Sequence, residues 1–323
     1  TCGSNDWSLY DLVLTGRNCW FLRFIIMRQN FSYLAVLKIS EMIMIIYLVR
    51  TDPKLKSPMY FFLHNLSFSD MVYTSVTMPN MLSGLLKEEH TISKTGCILQ
   101  MCFFLSMAVT GRSILTVMAF DRYVAICNPL RYMTIMTKQV CILLVVAAWS
   151  FGFAAVLPSV SLAVQLPFCG PNRVKHCFCD HSSVVRLACT DTRMNSTVSL
   201  TIALFVLLGT FSLILASYVC IGKAVHCMGR EERIKAFTTC ASHLILVCIS
   251  YVSATCVYVS YRVATFSPDT RMTIAVLYSV LTPFLNPIIY SLRNKELREA
   301  LMRILGKCVA VPSSHRKTIP SLS

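Results

Sequence analysis

Charge is what this sequence has least of. Only 14% of the 323 residues are Asp, Glu, Lys or Arg, while 55% are hydrophobic, and mean hydropathy is +0.61. A soluble domain has nowhere to hide that much apolar surface. Acids are scarcer still, 15 against 30 Lys and Arg, which leaves a net charge of +15. In so apolar a chain this excess suits loops lying against anionic lipid, so no nucleic acid is expected as a partner. The signatures of common chemistries are missing too. There is no glycine-rich phosphate loop, no His-Glu-x-x-His zinc helix and no Gly-x-Ser-x-Gly elbow, so neither an enzyme nor a cofactor or metal is expected. No internal repeat is visible, which argues against a transporter built from duplicated halves. No basic segment followed by an apolar core opens the chain, so no cleaved signal peptide is expected.

What the chain has instead is long apolar runs. The first candidate span is Phe31 to Val49, with Lys38 and Glu41 inside it, close enough on a helix to pair. A second opens at Pro58, and a third runs from Cys97 to Phe120. The fourth is Cys141 to Ser161, with Trp149 and Pro158, and the fifth is Leu200 to Ile221. A sixth begins after the basic stretch holding Lys223, Arg230, Arg233 and Lys235 and ends near Tyr261. The seventh, Met272 to Leu292, carries Asn286 and Pro287, and a proline there frees a backbone carbonyl and permits a kink. Spans of about 20 residues suit a hydrocarbon core of roughly 30 Å. The fold expected is an all-α membrane protein, a bundle of seven transmembrane helices. Its segments are residues 1–30, the helical body 31–292, and a tail 293–323. In the tail, Leu297, Leu301, Ile304 and Leu305 recur on one helical face, which reads as a short amphipathic helix on the inner membrane surface. Cys308 is a palmitoylation candidate, and Pro312 to Ser323 is expected to be disordered.

Charge also sets orientation. With the amino terminus outside, the inner loops hold Arg50, Lys54, Lys56, Arg122, Arg131, Lys138 and the basic stretch before the sixth span. The outer loops hold Arg173, Lys175 and Arg186, so the positive-inside bias is present but modest. The longest loop, Leu166 to Thr197, contains Cys169, Cys177, Cys179 and Cys189. Outside the cell such cysteines form bridges, but spacing alone cannot choose their partners. His176, Cys179 and Asp180 could ligate a metal, except that a bridged Cys179 has no thiolate to offer. Asn195-Ser196-Thr197 fits a glycan acceptor close to the next helix.

The third span ends in Met118-Ala119-Phe120-Asp121-Arg122-Tyr123-Val124-Ala125-Ile126-Cys127. An arginine at a membrane face is costly unless paired, and the adjacent Asp121 can hold it by a charge-assisted hydrogen bond. This string resembles the end of the third helix in olfactory receptors, a branch of the rhodopsin-like G-protein-coupled receptors. The resemblance extends to the run Pro58-Met59-Tyr60-Phe61-Phe62-Leu63-His64-Asn65-Leu66-Ser67, to Lys235-Ala236-Phe237-Thr238-Thr239-Cys240-Ala241-Ser242-His243, and to Pro283-Phe284-Leu285-Asn286-Pro287-Ile288-Ile289-Tyr290. It departs at Met42, where the family usually has Asn, and at Gly111, where it commonly has Glu.

The resemblance implies an odorant receptor in the plasma membrane that binds small volatile molecules and activates a heterotrimeric stimulatory, olfactory-type G protein to raise cyclic AMP. It implies bridges Cys97–Cys179 and Cys169–Cys189. By position in the matched helices, the pocket residues are Phe104, Leu105, Ala108, Val109, Ile202, Val206, Tyr251, Thr255, Tyr258 and Ser279. Asp121, Arg122 and Tyr123 form the switch, with Tyr218, Asn286, Pro287 and Tyr290 supporting it and Pro129 and Leu130 offered to the G protein. Asp70, an acid inside the second span, is a polar-site candidate, and Arg112 is expected to meet it directly or through water. Alternatives are a small-solute transporter or channel, and a degenerate receptor that fails to signal.

Overall fold

The computed structural model describes residues 12–14, 31–86, 90–169, 173–174 and 178–262, with single positions at 270, 274, 289, 299–300 and 302–303. The expected seventh span falls almost wholly outside the described residues, as do Ser279, Asn286, Pro287, Tyr290, Cys177 and Cys308. Six long helices are described: α1 (Phe31–Thr51), α2 (Pro58–Leu86), α3 (Lys94–Cys127), α5 (Lys138–Val164), α7 (Arg193–His226) and α8 (Arg230–Arg262). Short helices α4 (Tyr132–Ile135) and α6 (His181–Val185) lie in the connections, and single 3₁₀ turns sit at Pro53–Leu55 and Pro129–Arg131. Four of the six, α3, α5, α7 and α8, are long and apolar enough to cross a membrane; in α1 the apolar stretch is the shorter Met42–Thr51.

The helices outrun the spans read from the sequence. At 34 residues, α3 and α7 are roughly 50 Å long at 1.5 Å per residue, well beyond a hydrocarbon core of roughly 30 Å. Hydropathy marks only the buried middle, whereas the backbone ladder continues until a cap stops it. Ser93 caps α3 by accepting from the Gly96 N–H at 3.1 Å, and Thr137 caps α5 through Val140 at 3.4 Å. The loop expected over 166–197 is therefore shortened, because α7 already begins at Arg193. Asn195 is buried inside that helix, so its sequon is not presented for modification.

Several hydroxyls inside the helices satisfy themselves locally: Thr74, Thr77, Ser113, Thr116 and Thr210 each donate to the carbonyl four residues back, the nearest acceptor where no water is at hand. Helix α3 runs through the middle of the bundle and touches α2, α5, α7 and α8. Met101, Ile114 and Met118 are wholly buried along it. Close approach of α5 depends on Gly152: a Cβ there would collide with Thr110 Oγ1 and come within 3.0 Å of the Ser106 carbonyl oxygen. Gln100 binds three elements together. Its amide N–H donates to Val76 O at 2.8 Å, and its oxygen accepts from the Cys179 N–H at 3.1 Å.

The outward faces are apolar. Phe205 is 68% exposed and Leu143 67%, and Leu157, Leu208, Leu213 and Val252 are also more than half exposed. An apolar belt of this extent needs lipid against it.

One end of the bundle carries a lid. Three short strands, β1 (Leu12–Leu14), β2 (His90–Ile92) and β3 (Arg173–Val174), form a sheet in the order β2-β1-β3. Val13 faces Thr91 in the antiparallel pair and Arg173 in the parallel one. Strands this short have no periodic signal, so an all-helical reading passes over them. Disulfides Cys97–Cys179 and Cys169–Cys189 fasten the same end. At the other end, residues 299, 300, 302 and 303 are helical. Ala300 is buried in the cluster that holds Leu48 and Leu55, and Arg303 Nη2 meets Asp52 Oδ2 at 2.5 Å.

Candidate functional site

Beneath the lid lies a cavity of about 260 Å³. Helix α3 supplies Phe104, Leu105, Ala108, Val109 and Arg112, spaced so that they share one helical face. The cystine-bridged loop supplies Phe178, and α6 with its cap supplies Asp180, His181, Ser182 and Val185, followed by Arg186 and Thr192. Ser196, Ser199 and Leu200 come from α7, and Ala254, Val257 and Tyr258 from α8. Aromatic rings gather at the lid side: the Phe104 ring lies 5.1 Å from that of Phe178, and 5.3 Å from that of Tyr73 behind it.

The loop side of the cavity is built by Asp180. Its Oδ2 accepts from the Ser182 N–H at 3.0 Å and the Ser183 N–H at 3.3 Å, which caps α6 and fixes the chain's entry. His181 is buried, with Nε2 3.3 Å from Ser159 O. Burial pushes its pKa below the usual histidine value, against the opposing pull of Asp180, so the ring is neutral at pH 7.

Arg112 is 8% exposed, and its Nη1 donates to the Ala108 carbonyl at 2.9 Å, one turn nearer the lid. That bond draws the guanidinium along its own helix toward the cavity wall. The preceding residue, Gly111, points at Leu66 of α2, and consecutive helix positions diverge by about 100°.

At the opposite end of α3, Asp121 is fully buried and accepts two donors: Arg122 Nη2 at 3.1 Å and the Tyr132 hydroxyl at 2.8 Å. Tyr132 reaches back because Pro129 opens a 3₁₀ turn straight after α3. Burial first, and then the Asp121 carboxylate, push the Tyr132 phenol well above its ordinary pKa, so it remains a donor. In the same turn Leu130 is 99% exposed, and Met133 beyond it is exposed too. Tyr123 is half-buried against the apolar cluster at this end, its ring 6.2 Å from Phe120. A second link crosses the bundle: Tyr218 Oη lies 2.8 Å from His243 Nδ1, and His243 Nε2 lies 2.9 Å from Leu115 O. A carbonyl can only accept, so Nε2 carries the proton and Nδ1 accepts from the Tyr218 hydroxyl.

A family profile described as Olfactory receptor matches residues 31–308. The chain is 47% identical to human olfactory receptor 6N1 over 266 residues, 82% of this chain and 85% of that protein. It is 43% identical to human olfactory receptor 10J4 over 278 residues, covering 86% and 89%, and 42% identical to rat olfactory receptor 226 over 275 residues, covering 84% of each. The chain belongs to the olfactory receptor family. The family is one of receptors that take odorants and couple to G proteins, not of enzymes, and this olfactory receptor is a multi-pass membrane protein.

Of the pocket residues expected in the receptor, Phe104, Leu105, Ala108, Val109 and Tyr258 line the cavity. Four others do not. Val206 and Ile202 pack into the apolar cluster beside it. Tyr251 turns its hydroxyl to Thr210 Oγ1 at 2.5 Å, and Thr255 donates to the Tyr251 carbonyl. Helix rotation, which spacing does not fix, puts Ala254 and Val257 on the cavity face in their place. Ser279 lies outside the described residues. Sequence reasoning missed Phe178, Asp180, His181, Arg186 and Ser199, and assigned Arg112 elsewhere. It also missed Tyr132 and His243 as partners in the polar links. Ser199 and Leu200 carried a signal, just under two turns before Val206 on an apolar helix. The loop residues carried none. Among the described residues, no group of three or more His, Cys, Asp and Glu is placed to hold a metal, and Cys179 is spent on its bridge to Cys97.

Proposed function

We propose that this receptor sits in the plasma membrane as a seven-helix bundle with its amino terminus outside. It binds a small volatile odorant in the cavity under the lid and activates a stimulatory G protein that raises cyclic AMP. The observation that carries this reading is the placement of cavity and polar lock on one helix. Phe104 and Arg122 both belong to α3, 18 positions or roughly 27 Å apart. A cavity of about 260 Å³ is at the small end of ligand sites, which suits a volatile molecule. The disulfide-bearing end then faces the oxidising exterior, and the end with Arg122 and Leu130 faces the G protein.

At rest Asp121 holds Arg122, with Tyr132 as its second donor. An odorant favours the signalling state only by binding it more tightly than the resting state. In the signalling state Arg122 leaves Asp121 and becomes available to the G protein, with Pro129 and Leu130 as apolar contacts beside it. Tyr218, in the last third of α7, Tyr290, Asn286 and Pro287 belong to the same switch in this proposal. Stimulation with an odorant panel of cells expressing the full chain, with surface staining and cyclic AMP read together, tests it. A response that requires the stimulatory G protein is expected; silence from receptors on the surface contradicts it.

A further inference from the structure

We infer that the cavity selects aldehydes and ketones. Their carbonyl oxygen accepts from the Ser199 hydroxyl and from that of Ser196, one turn nearer the lid, while the hydrocarbon part lies along Leu105, Ala254 and Val257. This names the ligand class for the site proposed above and rests on that reading.

Helix α7 uses its hydroxyls in two ways. Thr201, Thr210, Ser212 and Ser217 each donate to the carbonyl four residues back, the ordinary course for a hydroxyl on a helix in lipid. Ser196 and Ser199 line the cavity, and neither hydroxyl has a partner among the described residues. Each is therefore free to donate to a ligand. Side chains three positions apart share one helical face, with Cβ atoms about 5–6 Å apart, a gap that a single oxygen between them spans. A carbonyl oxygen has two lone pairs near its plane and accepts both donors at once. Ser199 is half-buried and Ser196 exposed, so water competes less at Ser199 and its bond carries more of the preference. Leu105 of α3 and Ala254 and Val257 of α8 line the same cavity and take the hydrocarbon part by burial. When a ligand lacks an acceptor, each serine can turn back to its own backbone. The site thus ranks ligands by the bond they add and does not exclude hydrocarbons.

The test uses the full chain in lipid nanodiscs and methyl ketones from pentanone to decanone, each paired with the alkene in which a methylene group replaces the carbonyl oxygen. Ligand-induced rise in melting temperature gives the half-maximal concentration of each. The readout is the ketone-to-alkene ratio of affinities, because shape and lipid partitioning cancel when that ratio is compared between receptor variants. Ser199→Ala is expected to lower the ratio roughly two- to tenfold, the value of one net hydrogen bond, by weakening the ketone alone. Ser196→Ala lowers it less, and Ser199→Thr, which keeps the hydroxyl, preserves it. A ratio unchanged in Ser199→Ala overturns the proposal, as does a ratio that falls equally in Ser199→Thr, or a series in which no ketone stabilises the receptor. Should Ser199→Ala fail to fold, Ser199→Cys, of similar size and a weak donor, decides in its place. Ketones that raise cyclic AMP in cells with a ratio indifferent to Ser199 defeat the carbonyl proposal and leave the receptor reading standing. Ser199-dependent ketone binding by receptors that stay silent on the cell surface does the reverse.

Discussion

Asp121 holds two donors from two directions, and only one of them was readable. Arg122 is its sequence neighbour, whereas Tyr132 arrives through the turn at Pro129, a closure that linear spacing does not encode. The bond from Tyr132 stabilises the resting arrangement of the lock. Tyr132→Phe removes it without changing the ring. A hydrogen bond to a charged group contributes about 1.5 kcal/mol or more, which is roughly tenfold in an equilibrium. Ligand-independent cyclic AMP per surface receptor is therefore expected to rise several-fold, and an unchanged basal level counts against the lock. Coupling between Asp70 and Arg112 remains a proposal of the same grain. One guanidinium nitrogen of Arg112 donates to the Ala108 carbonyl, and the coupling proposed is direct or through water. In a double-mutant cycle of Asp70→Asn and Arg112→Gln, surface expression lost in each single variant should be partly restored in the double; simple additivity argues against coupling. His181 gives a pH dependence. Its folded pKa lies below the ordinary 6.5, so the folded state resists protonation. The stability this histidine contributes is full above that value and falls as pH drops below it, by at most about 1.4 kcal/mol per pH unit. Melting temperature should fall between pH 7.5 and 5, and fall less in His181→Gln. Equal slopes in the two proteins would rule out His181 as a source.

Among elements, the apolar runs revealed six long helices, because hydrophobicity in lipid is a direct physical requirement. It revealed neither their ends nor their rotation. Ends are set by caps such as Ser93 and by solvent, and rotation by contacts such as Gly152 against Thr110, which connect residues far apart in sequence. That contact is testable. Gly152→Ala forces α5 off α3 and is expected to cost about 1–3 kcal/mol as overpacking, seen as a lower melting temperature. Adding Thr110→Ala removes the obstructing hydroxyl and should recover part of the loss. A Gly152→Ala receptor as stable as its parent would contradict the close approach. The lid is the least legible element. Its strands are three residues or shorter, and its cavity-facing residues Asp180 and His181 follow from a bridge between Cys97 and Cys179. Cys97→Ser should cost about 2–5 kcal/mol, by analogy with small secreted domains, and deplete the receptor from the surface.

For the whole molecule, composition was enough to exclude a soluble enzyme, and motif runs spread from Pro58 to Tyr290 were enough to suggest the family. The cavity was only half legible: α3, and Tyr258 of α8, contributed what the matched helices implied, whereas α7 and the rest of α8 present neighbouring residues instead. The reason is that a bundle buries whole helix faces, and a shift of one position exchanges one set of apolar side chains for another. Topology follows from the same molecular view. Epitope tags at the two termini, stained before and after permeabilisation, should show the first accessible in intact cells and the second only after permeabilisation; a carboxyl-terminal tag accessible in intact cells would overturn the orientation. The central claim is that the cavity and the Asp121–Arg122 lock are two ends of one device. It is tested most directly by measuring ligand affinity and ligand-evoked cyclic AMP per surface receptor in Arg122→Ala beside the unmodified receptor. Near-normal surface level and affinity with the cyclic AMP response abolished is the expected result. A variant that reaches the surface and signals as its parent does would contradict it.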